Sequence, residues 1–214
     1  MIKAVIFDMD GLMIDSERVT FECYQEILKP MNLTMDETFY KTLLGKPIKG
    51  IYERFYSTYG QDFPIESVIK DVHALMAKRF ETEGVPVKKG LLVLLNYLKE
   101  NSYKTIVATS SNRDRVDTIL AQAHITQYFD DSICGDEVTH GKPHPEVFLK
   151  SCEKLGVKTD EAIVLEDSEA GIQAASSAGI KVICIPDMKY PTEEYANKTY
   201  KILDSLDEVI NELN

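Results

Sequence analysis

Asp8 and Asp10 stand two residues apart in Asp8-Met-Asp10-Gly11, directly after the apolar run Lys3-Ala-Val-Ile-Phe7. Two carboxylates so placed suit a nucleophile and a proton donor, and the glycine lets the backbone turn tightly between strand and loop. Three more groups follow three further apolar runs: Thr109-Ser110-Ser111, Gly141-Lys142-Pro143 and Glu166-Asp167-Ser168. Hard oxygen donors with no His or Cys among them favour Mg2+ over zinc. The reaction that uses all of these is phosphoryl transfer. Asp8 attacks phosphorus and carries an aspartyl phosphate. Asp10 protonates the leaving oxygen and then activates water. The Thr109 hydroxyl, the Ser110 amide and Lys142 hold the phosphoryl oxygens. Carboxylates of the first and fourth groups hold Mg2+, which screens an anionic nucleophile from an anionic phosphate.

Taken singly, each group has an ordinary explanation. Asp-x-Asp is turn chemistry, Thr-Ser-Ser-Asn and Glu-Asp-Ser are helix caps, and Lys-Pro is a solvated loop. What sets them apart is that the elements preceding them must bring them to one rim. Lys3–Phe7, Thr105–Ala108, Ser132–Cys134, Ala162–Leu165 and Lys181–Ile185 read as short buried strands. Helical patterns at 91–100, 113–123, 145–155 and 168–178 separate the last four, with Pro145 near a first turn and Gly179 just past a last one. Strands alternating with helices form an α/β, Rossmann-like, doubly wound parallel sheet, whose ligands lie beyond the carboxyl ends of the strands.

Residues 16–84 differ. They carry helical periodicity and no convincing strand, with Val19, Cys23 and Ile27 in a stripe, a break at Gly45-Lys46-Pro47, and a further helix from Pro64 through Phe80. That is too long for an ordinary strand–helix connection. An inserted α-helical cap domain at 16–84 is expected, set into a discontinuous core of 1–15 and 85–214, with hinges near 13–15 and 83–88.

Charge and composition narrow the partners. The chain has 214 residues, and Asp+Glu 35 against Lys+Arg 24 gives a formal net charge of −11. Such a chain is poorly suited to nucleic acid or an anionic membrane, but local cations can still offset its field for a small phosphate ester. No apolar run approaches a membrane span, and the run before Asp8 is too short for a signal peptide. Cys23, Cys134, Cys152 and Cys184 are widely spaced in apolar stretches, as expected for reduced core cysteines in a cytoplasmic protein. A monomer is expected.

At these residues the chain resembles the haloacid dehalogenase superfamily. The resemblance rests on Asp8-Met-Asp10-Gly, the strand ending in Thr109-Ser110, Gly141-Lys142-Pro143 and Glu166-Asp167-Ser-x-x-Gly171, in order across essentially the whole chain. It implies a Rossmann-like core with a squiggle and flap after the first strand, a helical cap inserted there, and Mg2+-dependent chemistry through an aspartyl phosphate. Asp8 is then nucleophile and metal ligand. Asp10 is acid/base and offers the metal its backbone carbonyl. Thr109 and Lys142 bind phosphate, and Asp167 ligates the metal with Glu166 beside it.

Within the superfamily the chain is similar to the β-phosphoglucomutase-like branch. Asp15-Ser-Glu-Arg18 and His140-Gly-Lys-Pro-His-Pro-Glu-Val-Phe148 resemble the pseudouridine-5′-phosphatase pattern. A mutase of that branch usually carries a cap His and Arg that would fall at 20 and 48, where this chain has Thr20 and Ile48. Hydrolysis of a sugar phosphate or nucleoside monophosphate is therefore expected over mutase activity. Dehalogenation fits less well because Asp10 is present. A receiver-like or catalytically idle phosphate-binding switch is the rival from another class. A receiver is shorter, has no inserted cap and carries its aspartate on a later strand; retention of both Asp8 and Asp10 speaks against an idle relative. A P-loop kinase is excluded because Gly45-Lys46 runs into Pro47. Specificity should come from the cap, where Lys46 is the candidate substrate contact and a plain surface lysine is the equal alternative.

Overall fold

The protein is described by a computed structural model covering residues 1–46 and 48–213. The chain divides into two compact units, Met1–Asp15 with Val85–Asn214, and Ser16–Gly84.

The first unit is built on six parallel strands in the order β3-β2-β1-β4-β5-β6. They are β1 (Ala4–Phe7), β2 (Lys104–Ala108), β3 (Asp131–Ile133), β4 (Ala162–Glu166), β5 (Lys181–Cys184) and β6 (Lys201–Ile202). Every residue of β1 is fully buried, as a central strand covered on both faces must be. Alternate side chains serve the two faces. Ala4 and Ile6 join Ile106, Ala108 and Val164 beneath Phe148, Cys152 and Ile172. Those three come from the helices at Glu146–Leu155 and Glu169–Ser177. Phe7, on the opposite face, meets Phe129 edge-on at 5.5 Å.

Register levels the carboxyl ends. Phe7 pairs with Val107 on one side and Leu165 on the other, so the chain leaves β1, β2 and β4 within a residue or so of the same height. Asp8, Thr109 and Glu166 consequently share one rim. Beyond β1 the chain makes a wide turn. Both Met13 N–H and Ile14 N–H donate to the Met9 carbonyl, at 2.9 and 3.2 Å, and Gly11 takes φ +84°. Ile14 then pairs antiparallel with Val87, and Asp15 N–H donates to the Pro86 carbonyl at 2.9 Å.

β6 and the 3-10 turn at Leu206–Glu212 have no counterpart in the sequence reading. β6 is two residues long at the sheet edge, too short for any apolar period to register.

The second unit contains α1 (Ser16–Leu28), α2 (Glu37–Lys41), α3 (Ile48–Tyr59) and α4 (Ile65–Glu83). The remaining helices are α5 (Leu91–Glu100), α6 (Arg113–Gln122), α7 (Glu146–Leu155), α8 (Glu169–Ser177) and α9 (Glu193–Ala196), all in the first unit. The buried side of α1 is Phe21, Cys23, Tyr24 and Leu28, so the stripe is rotated from the expected Val19 and Ile27, which are only half-buried. The cause is aromatic packing: Tyr24 lies 5.6 Å from Phe55, which stacks on Phe63 at 5.4 Å. Arg79 of α4 clamps Glu22 and Glu26 of α1 at 3.1 and 2.6 Å. All four cysteines are buried and free. No described helix is long and apolar enough to cross a membrane.

Candidate active site

Lys142 sits at the centre of the rim. Its ammonium donates to Asp8 Oδ1 at 2.5 Å and to Glu166 Oε1 at 2.6 Å, and it lies 5.0 Å from the centre of the Phe148 ring. These groups are buried: the side chains of Lys142, Asp8 and Glu166 are 6%, 10% and 0% exposed. In that setting burial pushes the Asp8 carboxyl up to about 7; Lys142 opposes the rise, while Glu166 and Asp10 add to it. Burial works to lower the pKa of the Lys142 ammonium, but its two carboxylate partners outweigh this and hold the proton more tightly than usual.

Glu166, the last residue of β4, uses both oxygens. Oε1 takes the Lys142 ammonium. Oε2 accepts from Asp167 N–H (2.9 Å), Ser168 N–H (2.8 Å) and the Ser168 hydroxyl (2.9 Å). Ser168 in turn caps α8, its Oγ accepting from Gly171 N–H at 3.1 Å. This explains Gly171: a Cβ there would overlap the Glu166 carboxylate. Gly11 is constrained in the same way. Its φ is left-handed and a Cβ would strike the Asp167 carboxylate.

Asp10 is held from the far side. Ser111 Oγ donates to its Oδ2 at 2.8 Å and Arg115 donates to its Oδ1 at 2.7 Å. The Thr109 hydroxyl is buried and accepts from Ser111 N–H at 3.1 Å. Ser110 is exposed at the bend, and its carbonyl packs so closely on Gly135 that a Cβ there would overlap it.

Asp8, Asp10, Thr109, Ser110, Lys142, Glu166 and Asp167 thus all lie at the carboxyl ends of the strands or in the loops that follow. Lys46 belongs to the helical unit, exposed on the turn between α2 and α3, and Pro47 lies outside the described residues. Ser111 belongs to the hydroxyl group read after the second strand, though not as a partner of Asp10, and Arg115 was not singled out from sequence at all. Arg115 did leave a signal, since it lies in the first turn of α6, where the helix dipole disfavours a cation unless an acid answers it.

The donor chemistry fits a hard divalent cation. Asp8, Glu166 and Asp167 can present carboxylate oxygens within 4.8 Å of one another, the first two buried and the third half-buried. Three carboxylates so gathered suit an oxygen-seeking ion. A site with a carboxylate nucleophile, a second carboxylate beside it and a buried ammonium can transfer a phosphoryl group in two steps.

Comparison with known proteins shows the family. The profile of the family described as haloacid dehalogenase-like hydrolase matches residues 5–185. A Thermotoga maritima protein named phosphorylated carbohydrates phosphatase is 32% identical over 85% of this chain and 83% of its own. A Drosophila melanogaster protein named probable pseudouridine-5′-phosphatase is 30% identical over 94% and 88%. The solved structure of CbbY from Rhodobacter sphaeroides in complex with phosphate superposes with TM-score 0.77 at 26% identity, covering 98% of this chain and 96% of that one.

Proposed function

The chain belongs to the haloacid dehalogenase-like hydrolases, and on that premise we propose that it is a Mg2+-dependent phosphatase of a small phosphate monoester, a sugar phosphate or a nucleoside monophosphate. The observation that carries the reading is the pair Asp8 and Asp10. One carboxylate is buried against Lys142, and the other, two residues on, is oriented by Ser111 and Arg115.

Asp8, Asp167 and the Asp10 carbonyl would hold Mg2+, with Glu166 in the same cluster. When bound, the ion supplies the positive charge that lets a carboxylate approach an anionic phosphate. Asp8 attacks phosphorus, and the P–O bond to the leaving group breaks as the Asp8–phosphorus bond forms. Asp10 gives its proton to the leaving oxygen. It then takes one from the water that cleaves the aspartyl phosphate, returning Asp8 and releasing inorganic phosphate. Lys142, with Thr109 and the backbone at Ser110, neutralises and orients the phosphoryl oxygens. Relatives named for phosphorylated carbohydrates and for pseudouridine 5′-phosphate support a small phosphorylated sugar or nucleoside as substrate.

Phosphate release on a generic monoester should vanish in chelator and return with Mg2+. Ca2+, with its looser and larger coordination, should restore little. Full turnover in chelator would refute the metal requirement.

The deciding test of the function is a panel of sugar phosphates and nucleoside monophosphates, run beside β-glucose 1-phosphate with a trace of the bisphosphate. A mutase must keep its aspartyl phosphate from water until an intermediate turns over, which takes basic cap groups that engage the substrate. Thr20 offers a hydroxyl already donated to the Ser16 carbonyl at 2.7 Å, and Ile48 offers no charge. Free phosphate without isomerisation is the expected result. Fast conversion to glucose 6-phosphate with little free phosphate would establish the mutase instead.

A further inference from the structure

Two histidines flank Lys142, two residues to either side, and the mechanism uses neither. The rings of His140 and His144 lie 4.7 Å apart, centre to centre, tilted by 37°. Both residues are exposed, and Glu146 beside them is half-buried. One donor atom from each of the three lies within 4.8 Å of the others.

Glu146 is the first residue of α7, and its carboxylate is locked in place. Oε1 accepts from Thr139 N–H at 2.9 Å and pairs with Lys150 at 2.9 Å. Oε2 accepts from His140 N–H at 2.9 Å and faces His140 Nδ1 at 3.3 Å. Anchoring the carboxylate to the backbone at His140 sets that imidazole and the carboxylate in fixed register. His144 is turned toward the same place by a long contact, Glu146 N–H to His144 Nδ1 at 3.3 Å, which a metal at that nitrogen would replace. Capping explains the position of Glu146. It does not explain two exposed imidazoles converging on the carboxylate.

We propose that His140, His144 and Glu146 form a second metal site, chemically distinct from the carboxylate cluster at Asp8, that takes a borderline divalent cation such as Zn2+, Ni2+ or Cu2+. Two imidazoles and one carboxylate select such ions over Mg2+, which prefers oxygen alone. Ligands of one zinc lie about 2.0–2.2 Å from it and hence about 3.4 Å from one another, so donors now within 4.8 Å need to close by at most about 1.4 Å, which exposed rings can do by rotation. The Thr139 and His140 N–H groups that anchor the carboxylate supply the outer hydrogen bonds such sites use, and the fourth position would be left to water. Bound there, the ion ties both flanks of Lys142 to the first turn of α7.

The test is calorimetric titration of Zn2+ into the full chain with Mg2+ saturating the carboxylates. One zinc per chain is expected, and His140→Ala and His144→Ala should each weaken it by at least about tenfold. Both rings are exposed, so the far-UV circular dichroism of the variants should match the parent. With Cu2+ as the probe, the electron paramagnetic resonance signal should show two coupled nitrogens, falling to one in either variant. Zinc binding of unchanged strength in both variants, or none once Mg2+ is present, overturns the site.

Discussion

Asp8→Asn will reduce phosphate release to background and leave no labelled phosphoenzyme on acid quench. The amide nitrogen cannot attack phosphorus, so the first covalent step is lost. The fold should be untouched. Asn is isosteric and its carbonyl can still accept from Lys142. Glu166, at 2.6 Å, keeps the Lys142 ammonium paired when the Asp8 charge is lost. Asp10→Asn should behave differently. It keeps the nucleophile but removes the proton donor and leaves Arg115 facing an uncharged amide where it now holds a carboxylate at 2.7 Å. Turnover should slow by roughly 10²–10⁴-fold, the usual contribution of general acid–base catalysis. Unaltered turnover in Asp8→Asn would end the covalent mechanism. A phosphoenzyme that Asp10→Asn forms slowly and hydrolyses slowly would support both roles.

Lys142→Met should be nearly as damaging and should also weaken the fold. The ammonium is the shared partner of two buried carboxylates, at 2.5 and 2.6 Å. Removing one partner of such a buried set typically costs about 3–5 kcal/mol, because the remaining charge is stranded away from water. Losing the donor proposed for the phosphoryl oxygens should cost a further ~10²–10³-fold in turnover. Lys142→Arg should not rescue it. The space between Asp8, Glu166 and Phe148 holds a compact point charge, and a planar guanidinium would push one carboxylate aside. Urea unfolding and steady-state rates measured on both variants test this. A Lys142→Met protein within tenfold of parent turnover would remove Lys142 from the phosphoryl-binding role.

The rim was legible in sequence because its residues follow buried strands. An apolar run such as Ala4–Phe7 ends where polarity returns, and in a parallel sheet that end is where ligands bind. Asp8, Thr109 and Glu166 can therefore be placed from the sequence alone. What stayed hidden were residues whose position depends on packing at a distance. Arg115 meets Asp10 across more than a hundred residues of chain, and only its awkward place in a helix's first turn hinted at a partner. Glu166 could be placed beside Asp167, but not its further contacts: its oxygens also carry Lys142 and the first turn of α8, an arrangement that depends on Gly171 lacking a side chain. The α1 stripe is rotated from its expected line, with Cys23 buried as expected but Val19 and Ile27 giving way to Phe21, Tyr24 and Leu28, because Tyr24 packs against Phe55. β6 was missed because two residues hold no period.

The pairing of β1 also sets an order of events during synthesis. Ala4 pairs with Lys104 on one side and with Ala162 on the other, so the strand that carries Asp8 is made well before either of its partners. The intervening unit, Ser16–Gly84, is complete long before β4 is made. At translation rates of about 5–20 residues per second, β1 waits for seconds as an apolar strand with both edges open. A nascent chain halted short of Ala162 therefore carries a finished helical unit beside an unsatisfied strand, and such truncated chains should be the ones that chaperones retain.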